Sequence, residues 1–195
     1  MTHIGVSQIK QQRRQRSNRV AGFTLIELVI AIAVLAILAA ATAPSFQTLL
    51  ERNRVVRLAE ELQGLLMQAK SEAVIRNEEL NLELVRDDGN DVTSYHSDGE
   101  WVLALLPSAV SGASISDTVG NAYSVLQGNG FKQVYVKANY STTVTVSPIR
   151  GTSNLHITYQ FYASDPAQSV EVKMNRMTGR IYICSDSGAY GYGVC

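Results

Sequence analysis

Gly22-Phe23-Thr24-Leu25-Ile26-Glu27-Leu28 opens an apolar run that continues to Ala43, and within that run Glu27 is the single charged side chain. From Phe23 to Ala43 the run holds 21 residues, roughly 31 Å as a helix at ~1.5 Å per residue. A hydrocarbon core of ~30 Å requires about that length. Charge is costly inside a bilayer, so a lone acid there marks a functional site by default. Ahead of the run, residues 1–22 carry Lys10, Arg13, Arg14, Arg16 and Arg19 with no Asp or Glu. Such a basic flank stays cytoplasmic by the positive-inside bias. A cleaved secretory signal is the rival reading, and Ala41-Thr42-Ala43 fits its small-residue cleavage pattern. The length of the run and the presence of Glu27 weigh against it.

Downstream, Pro44 interrupts the helical pattern, removing a backbone hydrogen bond and kinking the helix. Leu58, Leu62, Leu65, Leu66, Ala69 and Ala73 then recur at helical spacing, with charged residues over much of the remaining surface, so the helix runs to about Arg76. The rest reads as β. Leu80, Leu82 and Leu84 alternate with Asn81, Glu83 and Val85, and Asp87-Asp88-Gly89-Asn90 supplies a turn. Ser97-Asp98-Gly99 feeds a strand at 101–106, and residues 107–121 read as a loop or irregular crossing. Further strands are expected at 131–138, 142–147, 155–162, 169–175 and 180–184, the last two forming a hairpin around Asn175–Gly179. The expected fold class is α+β: a long N-terminal helix, membrane half then amphipathic half, packed on a C-terminal antiparallel sheet or small sandwich of about seven strands.

No catalytic set emerges, and the chain reads as a non-enzyme. The histidines are His3, His96 and His156, and the sequence holds no Walker-type loop, nucleophile elbow or paired metal-ligand histidines. Gly128-Asn129-Gly130 and the glycines between Gly188 and Gly193 lack the strand-to-helix context of a phosphate loop. Asp87 to Asp91 lacks the spacing and terminal glutamate of an EF-hand and reads as a solvated turn. Neither a metal nor a cofactor is expected.

Gly22-Phe23-Thr24-Leu25-Ile26-Glu27 resembles the prepilin motif of type IV pilins and type II secretion pseudopilins. The resemblance implies cleavage between Gly22 and Phe23 by a prepilin peptidase and N-methylation of Phe23. It also implies filament assembly through Glu27, facing the α-amino group of a neighbouring subunit's Phe23. A buried charge is tolerated when so paired. Pro44 falls where pilins divide the membrane half of the helix from the soluble half. A leader of 22 residues is longer than many in this family, and the next methionine after Met1 is Met67. Either translation starts elsewhere or this branch carries a long leader. Ala69-Lys70-Ser71-Glu72-Ala73 and Thr178-Gly179-Arg180 are similar to elements of the FimT/FimU/GspH branch.

The implied organisation is a cleaved leader at 1–22, a transmembrane and assembly helix at 23–43, its soluble half at 44–76 and a periplasmic β-rich domain at 77–195. The implied partners are the prepilin peptidase, inner-membrane lipid, and other minor and major pilins or pseudopilins met through the N-terminal helix. The implied location is the inner membrane, with the N-terminus cytoplasmic, and then a surface filament. The expected role is a minor pilin of a type IV pilus, with a type II secretion pseudopilin as the alternative.

Loss of the five basic leader residues reduces the 17 basic side chains to 12 against 17 acidic, a formal charge of −5. That balance argues against nucleic-acid binding through overall charge. Cys184 and Cys195 lie in a domain exported to an oxidising compartment and are expected to form a disulfide, worth about 2.5–3 kcal/mol in the chain-entropy model. A local DNA contact through Lys173, Arg176 and Arg180, beside Tyr182, Tyr190 and Tyr192, is the remaining candidate. Some FimT-type proteins are DNA receptors with a Gly-Arg-x-Arg motif in this region. Here the sequence is Gly179-Arg180-Ile181-Tyr182, without the second arginine.

Overall fold

The computed structural model describes residues 22–87, 91–140 and 143–195, without the side chains of 42–44. The leader through Ala21, the Pro44 side chain, the Asp88–Asn90 part of the expected turn and the start of the strand expected at 142–147 lie outside the described residues. The chain divides into two units, Met1–Ala43 and Pro44–Cys195. The long helix α1, Leu25–Arg76, contributes to both.

In the first unit α1 starts at a polar cap. Thr24 Oγ1 accepts from the Glu27 backbone N–H at 3.3 Å, satisfying one of the open donors of the first turn. Beyond it the surface is apolar and bare: Leu25, Ile26, Leu35 and Ile37 are all exposed. No single helical segment among the described residues is long and apolar enough to cross a membrane by itself. Leu25–Ala41 and Ser45–Arg76 meet that requirement together, by length and composition.

In the second unit Val55, Leu58, Ala59, Leu62, Leu65, Leu66, Ala69 and Ala73 are buried at three- and four-residue spacing, one stripe of α1. The stripe packs on eight strands among the described residues, where the sequence indicates about seven. They are β1 (Leu80–Val85), β2 (Val102–Pro107), β3 (Ser124–Gln127), β4 (Tyr135–Ala138), β5 (Val144–Val146), β6 (Ile157–Tyr162), β7 (Val170–Met174) and β8 (Ile181–Ser185). They form two antiparallel sheets, ordered β3-β2-β1-β5 and β4-β6-β7-β8. Leu80, Leu82, Leu103 and Leu105 from the first sheet, and Tyr159, Phe161, Val170 and Val172 from the second, meet α1 in one continuous core.

The segment 107–121 is not purely a loop. It crosses the far face of the first sheet and contains a short helix α2, Ile115–Asn121, capped by Ser114 Oγ accepting from Asp117 N–H at 3.1 Å. Val110, Ile115 and Ala122 of this strap cover Val102, Ala104 and Leu106. The strap also buries Asn81 and Glu83, which simple alternation places toward solvent. Asn81 Nδ2 donates to the Ser108 and Val110 carbonyls at 3.2 and 3.4 Å. Glu83 accepts from Gly112 N–H at 2.7 Å and from the Thr143 hydroxyl at 2.8 Å. The carboxylate therefore ties the strap and the start of β5 to β1. Glu83→Ala leaves the Gly112 and Thr143 donors unpaired, and we expect a loss of about 2–3 kcal/mol in chemical unfolding. An unchanged midpoint would show that the strap does not depend on it.

Candidate assembly and interaction sites

The processing segment is presented for contact. Phe23 is 85 % exposed and Glu27 is exposed one turn into α1, in a surface otherwise made of apolar side chains. A carboxylate on such a helix has two stable situations: in water, or paired with a cation once the apolar surface is covered. Gly22, also exposed, leaves the peptide before Phe23 accessible.

A second site joins two motif elements 109 residues apart. Lys70 Nζ donates to the Gly179 carbonyl at 2.7 Å, so the lysine of Ala69–Ala73 is pinned to the glycine of Thr178-Gly179-Arg180. The turn of the β7–β8 hairpin is thereby fixed against α1. Gly179 has φ +63°, and a Cβ there would stand 2.6 Å from the Gly151 carbonyl oxygen. Glycine is the residue that fits both the left-handed backbone and the close approach. Spacing in sequence carries no trace of this link. The signal was the presence of both motifs, not any relation between them.

At the C-terminus Cys184 and Cys195 form a disulfide, with their Cα atoms 5.0 Å apart. Ser185 N–H donates to the Gly193 carbonyl at 2.9 Å, and Cys195 N–H to the Ser185 carbonyl at 3.1 Å, so the tail folds back along β8. Tyr190 and Tyr192 of this tail pack against the main core, and burial, followed by Glu51 for Tyr190 and Glu60 for Tyr192, raises both phenol pKa values. They are thus part of the clasp holding the tail and not a free aromatic platform. Glu171 lies beside both cysteine sulfurs, but sulfurs bonded to each other are not thiolates and do not form a metal site.

The basic candidates are only partly brought together. Lys173 faces Tyr182 across the ladder, not Arg180, and forms an ion pair with Glu171. Arg180 lies over the Tyr182 ring, 5.7 Å from its centroid. Arg176 is exposed in the hairpin turn. One cation of the three is thus already opposed by a carboxylate. Of the former calcium candidate, Asp87 accepts from Ile115 N–H at 2.5 Å, tying it to the start of α2, and Asp91 accepts from Thr93 N–H at 2.9 Å in a local turn. The hydrogen bonds from Thr93 hold the Asp91 carboxyl below its ordinary pKa.

A model of the prokaryotic N-terminal methylation motif matches residues 17–43, and the family model described as Type II transport protein GspH matches residues 58–195. A crystal structure of the type IV minor pilin FimU from Pseudomonas aeruginosa is similar at 19 % identity, covering 68 % of this chain and 90 % of that one, with a TM-score of 0.50. A second crystal form of the same protein gives 18 % identity, 64 % and 88 % coverage and a TM-score of 0.46. No curated protein sequence matches the chain. At this identity the structural likeness speaks for the pilin fold alone.

Proposed function

The chain belongs to the GspH family, within the FimT/FimU/GspH branch, and from that premise we propose that it is a minor pilin of a type IV pilus. It is made as a prepilin whose leader, 1–22, stays in the cytoplasm. The prepilin peptidase cuts after Gly22 and methylates Phe23. Residues 23–43 hold the subunit in the bacterial inner membrane, residues 44–76 continue the helix, and the β-rich domain from residue 77 folds in the periplasm. The subunit then leaves the membrane for the filament, where Glu27 meets the α-amino group of a neighbour and Pro44 divides the membrane half of the helix from its soluble half. Its work is assembly, in a priming or tip complex with other minor and major pilins, and not catalysis.

The observation that carries this reading is Glu27: a solitary carboxylate at the fifth residue after a prepilin cleavage point, on a helix otherwise apolar to Ala41. In water such a surface aggregates, and in a bilayer the charge is costly. Both penalties vanish when like helices pack and each carboxylate finds an ammonium. The match to a family described as a type II transport protein supports a second reading, a minor pseudopilin of the secretion system. The disulfide-closed tail and the Thr178-Gly179-Arg180 hairpin favour the pilus. DNA contact through Lys173, Arg176 and Arg180 is the weakest assignment, since Glu171 already occupies one of the three.

Deletion of the gene separates the two filaments. The pilus reading predicts lost or sharply reduced twitching and surface piliation with exoprotein secretion intact. Normal twitching with exoproteins retained in the periplasm would transfer the subunit to the secretion system.

A further inference from the structure

On the face of the second sheet turned away from α1 lies a groove of about 370 Å³ that none of the assembly features uses. Its position follows from alternation. Val136, Tyr159, Phe161 and Val172 point into the core, so Lys137, Thr158, Gln160, Glu171 and Lys173 point outward. In register, Lys137, Gln160 and Glu171 form one row and Thr158 and Lys173 the next. The wall is stiff where Asn139 Nδ2 donates to the His156 carbonyl at 2.8 Å and Asn139 Oδ1 accepts from Thr158 N–H at 2.7 Å.

Aromatic rings flank the groove. Lys137 Nζ stands 4.4 Å from the centroid of Tyr95, which meets Tyr162 edge-on at 4.9 Å, and Tyr162 stacks on Tyr135 at 4.8 Å. Tyr135, at the end of this series, is 38 % exposed. The groove thus combines the Lys137 ammonium, the Lys173–Glu171 ion pair, several neutral hydrogen-bonding side chains and a partly open aromatic ring beside it.

We propose that this groove binds an acidic oligosaccharide built of hexuronate units. The sugar carboxylate lies between Lys137 and Lys173. Ring hydroxyls donate to Glu171 and exchange hydrogen bonds with Gln160 and Asn139, and a flanking sugar presents its C–H face to Tyr135. The chemistry selects this class in three steps. Ala138 is the one apolar residue among the lining, which leaves no floor for an apolar peptide or an acyl chain. Two lysines against one carboxylate in the lining leave a positive excess on a chain of mature charge −5, a local preference for an anion. Glu171, ion-paired with Lys173, accepts hydroxyl protons that a sugar supplies and a phosphodiester lacks. Because the groove faces away from the α1 stripe, it stays open when helices pack.

The test is calorimetric titration of the full chain in nanodiscs of zwitterionic lipid with hexagalacturonate, maltohexaose and oligo(dT). Hexagalacturonate should bind saturably and maltohexaose and oligo(dT) far more weakly. Lys137→Gln/Lys173→Gln should weaken hexagalacturonate about tenfold, as loss of a charge-assisted hydrogen bond implies. Tyr135→Ala should weaken it by a smaller factor, and Arg150→Gln, outside the groove, should leave it unchanged. If the double variant melts early, Lys137→Gln alone must show the loss. No binding at millimolar hexagalacturonate, equal binding of maltohexaose, preference for oligo(dT), or a folded lysine variant with native affinity overturns the proposal.

Discussion

Glu27→Ala is expected to be cleaved and membrane-held like the native chain, yet absent from sheared filaments, with piliation and twitching lost. The cause is the unpaired ammonium left behind. When helices pack, the α-amino group of Phe23 enters surroundings made of leucine, isoleucine, valine and alanine. Removing one partner of a buried ion pair costs about 3–5 kcal/mol, because the survivor stays desolvated and uncompensated. At about 1.4 kcal/mol per factor of ten, that is a loss of about two to three and a half orders of magnitude in the equilibrium for entering the filament. Glu27→Gln separates charge from shape. It retains an acceptor oxygen and should recover only part of the incorporation. Native amounts of Glu27→Ala in filaments would remove the register role from this residue.

Gly179→Val should unfold the periplasmic domain at far lower denaturant than the native chain. Its φ of +63° is poorly tolerated by a β-branched residue, and the added Cβ meets the Gly151 carbonyl oxygen at 2.6 Å. The oxygen is backbone and the Cβ position is fixed by the backbone of residue 179, so relief requires moving the hairpin turn. The turn is held by the Lys70 bond to the Gly179 carbonyl. We expect a loss of about 3–5 kcal/mol, from left-handed strain together with the clash. For a domain of this size that is a drop in Tm on the order of 10 °C. Lys70→Met, which removes only the hydrogen bond, should cost about 1–2 kcal/mol. A Gly179→Val midpoint equal to the native one would show that the turn has room to move.

Long-period patterns made the N-terminal half legible. The i, i+3, i+4 recurrence from Leu58 to Ala73 fixed both the helix and the stripe it buries. β6 and β7 were equally plain, since Ile157–Tyr162 and Val170–Met174 alternate strictly between buried and half-buried residues. β1 is legible as a strand, but what covers its outer face is not. Asn81 and Glu83 look solvent-facing, and only the strap across them explains why both are buried. β3 escaped notice because Ser124–Gln127 is four residues long and too short to show a period. α2 was hidden by its β-branched residues and Gly120, although Ser114 with Asp117 three residues later is a capping pattern.

The candidate sites divide the same way. The prepilin segment is contiguous and was read whole. The Lys70–Gly179 link and the groove on the second sheet join residues from distant strands, and one-dimensional spacing does not reveal them. Lys173 and Arg180 are not direct cross-strand partners, for a related reason, although both meet Tyr182. The ladder register pairs Lys173 with Tyr182, and a hairpin's register depends on its turn as well as on its strands.

The account rests on a membrane-stored subunit made by one cut, and intact-mass spectrometry of the protein extracted from membranes tests that cut directly. The predicted species begins at Phe23 and carries one N-terminal methyl group. A chain retaining residues upstream of Gly22, or one shortened to the residue after Ala43 as a secretory signal requires, would contradict it.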